Sequence, residues 1–534
     1  MKKFTVRFLF TLGLVALTAA VVYSQNQGGN FAQSSLNQSS PSENGSMPHR
    51  YRHSEPVPHQ VYGNVSISPT GSQEFQSFSH LPGGYFVGPV VQPTSTTYEA
   101  EEHIAVHNFN PGFVLAAISD YSISRFGRVG NTTKYAWSRN GGSSWTESFV
   151  ELDQTADRAP ITGDGIRWQR MSDPVVAIDS VHNIAYVSSL YFDMFDNANG
   201  EYVSASPIED GIVNFTAAAT LPVAVNTDPS TPYFEDKPWI AVDNSRNSKT
   251  SGRVYVAWVH YPDLASQPYG GEIHLSTSND HAASFKSAVV VSPATQLRAV
   301  QGPQVTVDSS GRVLVSWTYC LNYAPPSYDF NAHCLNSEIW GAVSKDGGVS
   351  FGAPVQISPT MNDLDANGFP SHYRKWSAPA MAVDPVSGSV AVVYIDQPGP
   401  NSVVEYVLCP PAFSGACTSP KGINDVNSGQ RVFPAVAIDN FGIVHVSWFD
   451  GRNASSNPYS SQLDLYATFA DSVHKPFHTN ARISTSTTNY DTINLGPSSY
   501  FIGDYTGIAA GWGIAHPAWT DGYLQTAILV ASPN

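Results

Sequence analysis

The stretch PQVTVDSSGRVLVSWTYC, residues 303–320, and its continuation IWGAVSKDGGVSF, residues 339–351, carry the pattern that organises the chain. An alternating apolar run reaches Asp308, a turn follows at Gly311, and a second alternating run ends at Trp317. Alternation with a period of two is typical of strands, so residues 303–351 predict one antiparallel sheet of a few strands. A single sheet of this size cannot bury its own faces and needs neighbours of the same kind.

Altered copies of this stretch recur along the chain. The copies align on an aspartate that ends the first alternating run, and consecutive aspartates lie 64, 65, 76 and 55 residues apart. These aspartates are Asp179, Asp243, Asp308, Asp384 and Asp439. Looser copies begin at Glu101 and Gly503. Seven units across residues 98–534 predict an all-β fold, a β-propeller of four-stranded antiparallel blades, with seven blades or, as the alternative count, six.

Three units share a polar turn after their third predicted strand, at residues 138–145, 278–285 and 344–351. Each fits S-x-D-x-G-x-[ST]-[WF], with Asn140 for the acid in the first and Ala282 for the glycine in the second. A carboxylate that accepts backbone N–H groups and a glycine with positive φ explain this turn locally. The motif resembles the Asp-box, or BNR, repeat of the sialidase-like β-propellers, and the resemblance covers most of residues 98–534.

The N-terminal part of the chain predicts export. Residues 1–24 combine a basic start with an apolar core and small residues before a cut near Gln25, which is typical of a signal peptide. Residues 25–60 are rich in Gln, Asn, Ser and Pro and predict a disordered linker. Residues 61–97 form an N-terminal extension in which residues 61–68 alternate like a strand, and this strand can complete the last sheet and close the ring.

The amino-acid composition of the chain limits the classes of partner that we expect it to bind. Charged residues make up 13% of the chain and the formal net charge is −16, which argues against nucleic acid and anionic membranes. We expect a secreted monomer, extracellular or periplasmic, with no membrane span after signal cleavage. Its four cysteines form two close pairs, Cys320 with Cys334 and Cys409 with Cys417, and local pairing predicts two disulfides in an exported protein.

One end of a propeller collects the turns that lead into each first strand and the loops that follow each second strand, and we expect the ligand there. The polar turns at residues 138–145, 278–285 and 344–351 then fall at the opposite end. The turns into the first strands supply Glu101, Glu102, His103, Arg170, Asp173, Glu235, Asp236, Lys237, Trp239, Gln301, Arg374, Lys375, Trp376, Arg431, Asp504 and Tyr505.

The resemblance to sialidases implies a particular site. Such enzymes hold a substrate carboxylate with three arginines and use a tyrosine nucleophile with an aspartate as acid and base. Matching positions here are Arg170, Arg374 and Arg431 for substrate binding, Asp173 or Asp236 as the acid, and Tyr505 as the nucleophile. Lys237, Trp239 and Trp376 complete the predicted substrate-binding set. The R-I-P motif of sialidase domains is absent, since the first unit begins EEHIAVHN.

No cofactor is required by this reading, but a calcium loop is an alternative at residues 363–368. Asp363, Asp365 and Asn367 follow the D-x-D-x-N-G form, in which short oxygen side chains alternate on one side of a turn. Position twelve of an EF-hand loop would be Arg374 instead of the bidentate glutamate, and an ordinary Asx-rich turn explains the match equally well.

The sequence therefore predicts an exported propeller that recognises an extracellular glycan or polymer at the channel mouth, with exo-sialidase-type glycoside hydrolysis as a further possibility. The alternative is a non-catalytic protein-interaction or adhesion scaffold. A convergent arginine trio near a tyrosine and an aspartate favours the enzyme, whereas arginines that face different directions favour the scaffold.

Overall fold

The computed structural model describes residues 90–95, 98–121, 131–151, 170–192, 198–226, 233–262, 271–293, 295, 300–323, 334–364, 375, 377–454, 461–490, 502–522 and 527–531. The predicted signal peptide, the linker and the strand at residues 61–68 lie outside these residues. Within them the chain forms thirty strands and two short 3-10 helices, Ala217–Ala219 and Pro411–Phe413. No helix in this part of the chain is long and apolar enough to cross a membrane.

The described strands form seven antiparallel sheets, and consecutive strands pair within each. Sheet 1 has β2 (Glu99–His107), β3 (Asn110–Asp120), β4 (Thr132–Ser138) and β5 (Thr146–Phe149). Sheet 2 has β6 (Arg170–Asp179), β7 (Ile184–Phe192), β8 (Asn199–Pro207) and β9 (Thr220–Asn226). Sheet 3 has β10 (Phe234–Val242), β11 (Val254–Tyr261), β12 (Glu272–Ser278) and β13 (Val289–Val290).

The later sheets repeat this order. Sheet 4 has β14 (Val300–Val307), β15 (Val313–Tyr323), β16 (Cys334–Ser344), β17 (Val355–Gln356) and β18 (Met361–Asn362). Sheet 5 has β19 (Ala380–Val383), β20 (Val390–Asp396), β21 (Val403–Cys409) and β22 (Lys421–Gly422). Sheet 6 has β23 (Arg431–Ile438), β24 (Val444–Asp450), β25 (Gln462–Ala470), β26 (Ala481–Arg482) and β27 (Thr488–Asn489).

Sheet 7 joins the two ends of the described chain. It contains β28 (Gly507–Gly511), β29 (Ile514–Asp521) and β30 (Ala527–Ala531), and its fourth strand is β1 (Val90–Val91), which pairs with β30. The N-terminal extension therefore supplies the outer strand at residues 90–91, whereas the predicted strand at residues 61–68 lies outside the described residues. A two-residue strand is too short to show alternation in the sequence.

The first strands pack side by side around a common centre, in the order β2, β6, β10, β14, β19, β23 and β28, and β28 packs against β2. This closed arrangement of four-stranded antiparallel units confirms the predicted all-β propeller architecture.

The core lies between neighbouring sheets. Second strands are covered on both faces, which is why β7 is buried at every position and β11 reads as the nearly continuous apolar run VYVAWVHY. Four second strands each bury a tryptophan almost completely, at Trp258, Trp317, Trp448 and Trp519. Such large side chains fill the wedge between adjacent sheets, and removing one is expected to cost about 3–5 kcal/mol.

The three predicted polar turns lie between the third and fourth strands of sheets 1, 3 and 4. In the third of them Asp346 Oδ1 accepts the N–H groups of Val349 and Ser350 at 3.1 and 2.9 Å, and Ser344 Oγ accepts the N–H of Gly348 at 2.8 Å. The Ser350 hydroxyl, which donates to Asp346 Oδ2 at 2.6 Å, and the N–H groups that bind Asp346 lower the pKa of this carboxyl to about 2. The turns therefore have the local structural role that the sequence predicts for them.

Two disulfides link Cys320 to Cys334 and Cys409 to Cys417, which confirms the predicted pairing. The first connects β15 to β16 and the second follows β21, so each closes a local loop. Disulfides are typical of proteins in oxidising compartments.

Candidate functional site

A repeated β-bulge shapes the start of the first strands. The pairing of first and second strands shifts register between Ala100 and His103, and the same shift recurs in sheets 2, 3, 4 and 6. Left-handed residues occupy the bulges, namely Glu101 (φ 58°), Asp173 (φ 50°), Lys237 (φ 56°), Gly302 (φ 58°) and Phe433 (φ 50°). This conformation costs a non-glycine residue about 1–2 kcal/mol, and such strain concentrates at functional sites.

Charged side chains from three of these sheets and from sheet 7 meet at this end of the ring. Lys237 Nζ lies 2.8 Å from Asp173 Oδ1 and also donates to Asp504 Oδ2. The Lys237 side chain is 19% exposed, whereas Asp173 and Asp504 are nearly covered, at 6% and 1%. Lys237 thus presents the accessible part of a buried ion network that joins sheets 2, 3 and 7.

Glu101 supplies the third carboxylate of this network, which we call the mouth cluster (Glu101, Asp173, Lys237 and Asp504). Its Oε2 accepts hydrogen bonds from the hydroxyl groups of Ser172 at 2.9 Å, Ser119 at 3.0 Å and Tyr121 at 3.1 Å. One oxygen from each of the three carboxylates lies within 4.8 Å of the other two. Such a set can hold a divalent cation, but the Lys237 ammonium already supplies positive charge between two of its members.

The concentration of negative charge changes the titration of nearby groups. Burial, followed by the charges of Glu101 and Asp173, raises the pKa of Tyr121 well above its usual value. Burial together with the same carboxylates raises the pKa of Tyr505 in the same direction. Burial also raises the pKa of Glu102 well above the ordinary range of a glutamate. Both tyrosines therefore remain neutral phenols at neutral pH.

A buried glutamate on β8 borders the mouth cluster. Glu201 is fully buried, and neither of its carboxyl oxygens has a hydrogen-bond partner among the described residues. Burial raises its pKa well above the usual value, and the charges of Asp236, Glu235 and Asp173 act in the same direction. An uncompensated carboxylate is costly in such a place, which favours the protonated form of Glu201.

Below the cluster, an aromatic wall lines the central cavity. The Trp239 ring makes edge contacts with His103 and Tyr505, with ring centroids 5.0 and 5.7 Å apart. Burial lowers the pKa of His103 to about 4, so the imidazole is neutral. The cavity encloses about 220 Å³, and Gln304 and Phe433 lie on its lining with these three rings. The site combines a charged rim with an interior lined by both aromatic and polar side chains.

Of the three predicted arginines, Arg170 and Arg431 lie in the described part of the chain. Arg431 is fully buried, and its guanidinium donates to Asp450 and to backbone carbonyls in sheets 5 and 6. It therefore supports the loops around it, and these contacts do not favour the predicted role in substrate binding. Arg170 begins β6 beside Tyr121, and burial lowers its pKa to about 10. Arg374 and Trp376 lie outside the described residues.

The three predicted catalytic residues lie in different environments. Asp173 belongs to the mouth cluster, and Tyr505 lines the cavity and donates to the carbonyl oxygen of Pro174 at 3.1 Å. Asp236 precedes Lys237 and accepts its backbone N–H at 3.0 Å. A tyrosine nucleophile requires a lowered pKa, and the raised pKa of Tyr505 does not favour that role.

The predicted calcium loop is only partly described. Asp363 is buried, and its Oδ2 accepts the hydroxyl of Ser337 at 3.0 Å. Asp365 and Asn367 lie outside the described residues, so calcium binding stays a prediction.

Sequence reasoning missed part of the site. Glu101 and Asp504 stood among the residues expected at this end, but nothing singled them out as partners of Lys237. Tyr121 and Ser172 were not predicted, although Tyr121 directly follows Asp120 at the end of a second strand, a position where site residues were expected. The sequence around Glu201 does not predict that this residue borders the site, because only folding brings its strand next to Asp236.

Comparisons with known proteins give similarity at the level of fold. No protein-family model and no curated protein matches the chain. Among solved structures, the Hadza microbial sialidase Hz136 aligns with TM-score 0.39 and 8% identity over 82% of this chain and 65% of its own. The NanB sialidase from Streptococcus pneumoniae aligns with TM-score 0.40 and 12% identity over 84% and 70%. The GH93 α-L-arabinofuranosidase of Fusarium graminearum aligns with TM-score 0.44 and 14% identity over 72% and 97%.

The chain thus spans slightly less than two thirds of the length of the sialidase Hz136. Similarity of this degree carries no information about activity.

Proposed function

We propose that this protein is an exported propeller that recognises a hydroxyl-rich extracellular glycan at the channel end formed by the mouth cluster. The proposal rests mainly on one observation. Four charged side chains from four sheets converge at the rim of an aromatic-lined cavity, namely Glu101, Asp173, Lys237 and Asp504. Convergent polar groups beside a cavity with aromatic side chains in its wall are a common form of ligand-binding site.

The chemistry of the cluster suits sugar hydroxyl groups. Ionised carboxylates accept hydrogen bonds and the Lys237 ammonium donates them, so together they match groups that both donate and accept. The rings of Trp239 and Tyr505 offer apolar surface for the carbon face of a sugar. Lys237 is the accessible member of the cluster and is the proposed first contact.

The same chemistry disfavours an acidic ligand. The cluster holds three carboxylates against one ammonium, and the chain carries a net charge of −16. A ligand carboxylate placed there meets like charge, which costs free energy at short range. Arg431 donates its hydrogen bonds to carbonyl oxygens of the loops that bury it, so it does not offer its guanidinium to a ligand carboxylate. We therefore propose a neutral or basic glycan instead of a sialoside.

Glycoside hydrolysis is a second candidate. The carboxylates of Glu101, Asp173 and Asp504 converge, with one oxygen of each within 4.8 Å of the other two, and glycosidases use pairs of carboxylates. In this proposal Asp173 is the carboxylate that acts on the sugar, and Tyr505 positions the substrate from the cavity wall.

Three further proposals concern the whole protein. We propose a ring of seven blades, supported by the sequential packing of seven first strands. We propose secretion of a monomer, supported by two disulfides and by the predicted signal peptide. A protein-interaction scaffold remains the competing function, and the experiment below separates it from glycan recognition.

The test is binding of the mature protein to an array of neutral, basic and sialylated glycans. We expect signals on neutral or basic glycans, with at least tenfold weaker binding by Asp173→Asn. The matched control is Asp471→Asn, since Asp471 is a surface residue that pairs with His478 outside the cluster. A folded protein that binds no glycan contradicts the proposal and favours the scaffold.

Hydrolysis is tested in parallel with fluorogenic glycosides, including a sialoside. Release from a neutral glycoside that Asp173→Asn abolishes would support the second candidate. Release from the sialoside would contradict the proposed exclusion of acidic ligands.

A further inference from the structure

At the end of the ring away from the mouth cluster, two histidines and an aspartate meet between sheets 2 and 3. Asp179 ends β6, and His182 lies in the turn that follows. His182 Nδ1 lies 2.8 Å from Asp179 Oδ2, and His281 Nδ1 lies 3.6 Å from the same oxygen. His281 comes from the polar turn between β12 and β13, and the two imidazole centroids are 4.7 Å apart. One ligand atom from each residue lies within 4.8 Å of the others.

The backbone of His281 is strained. Its φ is 58°, and the corresponding positions of the other two polar turns hold Gly141 with φ 66° and Gly347 with φ 74°. The left-handed region strongly favours glycine, so the turn gains no stability from a histidine there. An observed strain of this kind justifies a functional hypothesis for the side chain.

A glycine makes room for the imidazole pair. A Cβ at Gly252 would lie 2.7 Å from His281 Cε1 and 2.8 Å from His182 Cε1, and the φ of Gly252 is 78°. Any larger residue at this position would push the two rings apart.

The polar atoms at this place are only partly satisfied. His281 Nδ1 is buried and has no hydrogen-bond partner among the described residues, since 3.6 Å is too long for a hydrogen bond. Asp179 uses Oδ1 to accept the N–H groups of Val181 and His182, at 3.0 and 2.9 Å. These two N–H groups of the turn bind Oδ1, so Oδ2 of Asp179 faces the two imidazoles.

We propose that Asp179, His182 and His281 bind a divalent transition-metal cation of the zinc class, with water in the remaining coordination position. Two imidazole nitrogens and one carboxylate oxygen suit Zn²⁺, whereas Ca²⁺ and Mg²⁺ prefer sets made only of oxygen. Both histidines are about one third exposed, with 30% and 32% of their side chains accessible, so the cation can arrive from solvent.

The bound cation connects the β6–β7 turn of sheet 2 to the β12–β13 turn of sheet 3. Ligand bonds of about 2.0–2.1 Å require the three ligand atoms to move slightly relative to one another, which the half-exposed rings can do by small side-chain rotations. This site is independent of the proposed glycan recognition, because it lies in different turns and shares no residue with the mouth cluster.

The test uses the untagged mature protein, freed of metal with EDTA and then dialysed. Isothermal titration with Zn²⁺ is expected to show one site of micromolar or tighter affinity, and Zn²⁺ is expected to raise the melting temperature. Titration with Ca²⁺ is expected to show no binding at the same residues. Co²⁺ is expected to give the visible absorption of a site with mixed nitrogen and oxygen ligands.

The decisive variant is His281→Gly, which removes a ligand and places glycine at a left-handed position. We expect its melting temperature in EDTA to equal or exceed that of the wild type, and its Zn²⁺ affinity to fall at least tenfold. The matched control is His478→Ala, since His478 also pairs with an aspartate, at 3.2 Å, but has no second histidine in its pair. This control is expected to keep the Zn²⁺ site.

Two outcomes would overturn the proposal. The first is a wild-type protein that binds no Zn²⁺ at concentrations of tens of micromolar. The second is unchanged Zn²⁺ binding in His281→Gly, which would place the metal at other histidines of the chain.

Discussion

Arg431 provides the sharpest test of the structural reasoning, because sequence analysis made it a ligand contact and the structure makes it a buried support. Its side chain is fully buried, and Nη1 donates to the carbonyl oxygens of Ser402 and Gly429, each at 2.8 Å. Nη2 donates to Ser428 at 2.8 Å, and Nε lies 3.3 Å from Asp450 Oδ2. The substitution Arg431→Met removes every one of these bonds while keeping most of the volume.

The expected magnitude follows from the partners left behind. Breaking one side of a buried ion pair costs about 3–5 kcal/mol, and each buried acceptor left unsatisfied costs about 1–3 kcal/mol. Asp450 keeps two other donors, Trp448 and Arg452, each at 2.8 Å, which places the estimate toward the lower value. We therefore expect Arg431→Met to lower the free energy of unfolding by about 3 kcal/mol, the lower end of the range for a broken buried pair. Arg431→Lys keeps the charge and part of the bonding and should lose about half as much.

Urea denaturation followed by tryptophan fluorescence measures this change. The control is Arg139→Met, because Arg139 is exposed and its Nη1 lies 3.4 Å from the carbonyl oxygen of Asp210. Exposed polar contacts of this kind contribute about 0–1 kcal/mol. An Arg431→Met protein with an unchanged unfolding midpoint and lost glycan binding would refute the reasoning and restore Arg431 as a ligand contact.

Three further perturbations test other parts of the fold. Burial, followed by the charge of Asp396, raises the pKa of Glu405 from 4.5 to about 7. The folded state therefore holds this proton more tightly than the unfolded state, and the stabilisation present below about pH 4.5 is lost as the pH rises through about 7. Glu405→Gln should gain stability relative to the wild type between pH 5 and pH 8 in urea titrations. Replacing Cys320 and Cys334 by serine opens a loop of about 15 residues and should cost about 3 kcal/mol, measured by the urea midpoint without reductant. Lys134→Met leaves buried acids without their cation and should cost about 3–5 kcal/mol, measured in the same way.

Each of these expectations can fail in a distinct way. Equal pH dependence of the wild type and Glu405→Gln would show that Glu405 titrates normally in the folded protein. A serine double variant that matches the wild type would show that the loop between β15 and β16 is already ordered without its disulfide. A Lys134→Met variant of unchanged stability would show that water reaches Glu99 and Asp120.

The repeat architecture could be predicted because its signals are local. Asp308 accepts the N–H groups of Ser310 and Arg312 at 2.9 and 3.0 Å, so the aspartate that aligns the copies is also the residue that stabilises the turn. Turn chemistry, strand alternation and short cysteine spacing all act over a few residues and can be recognised in the sequence.

The site was harder to predict because its contacts are long-range. Lys237 meets Asp504 across 267 residues of chain, and the partners of Arg431 include the Ser402 carbonyl oxygen 29 residues away. The sequence places a charged residue at the correct end of a strand, but it does not say whether the side chain turns toward the cavity or into the loops between sheets. Fourth strands of only two residues, such as β13 and β22, also give no detectable alternation.

The left-handed bulges have a consequence for how a ligand approaches. Around the ring the backbone repeats nearly the same shape, but Glu101, Asp173 and Lys237 occupy consecutive bulges, while Gly302 and Phe433 occupy later ones. The pseudo-rotational symmetry is therefore broken by chemistry and not by geometry, because three charged side chains occupy neighbouring bulges. In the proposed function, these charged groups contact one side of the ligand, so that the rim distinguishes that side from the other.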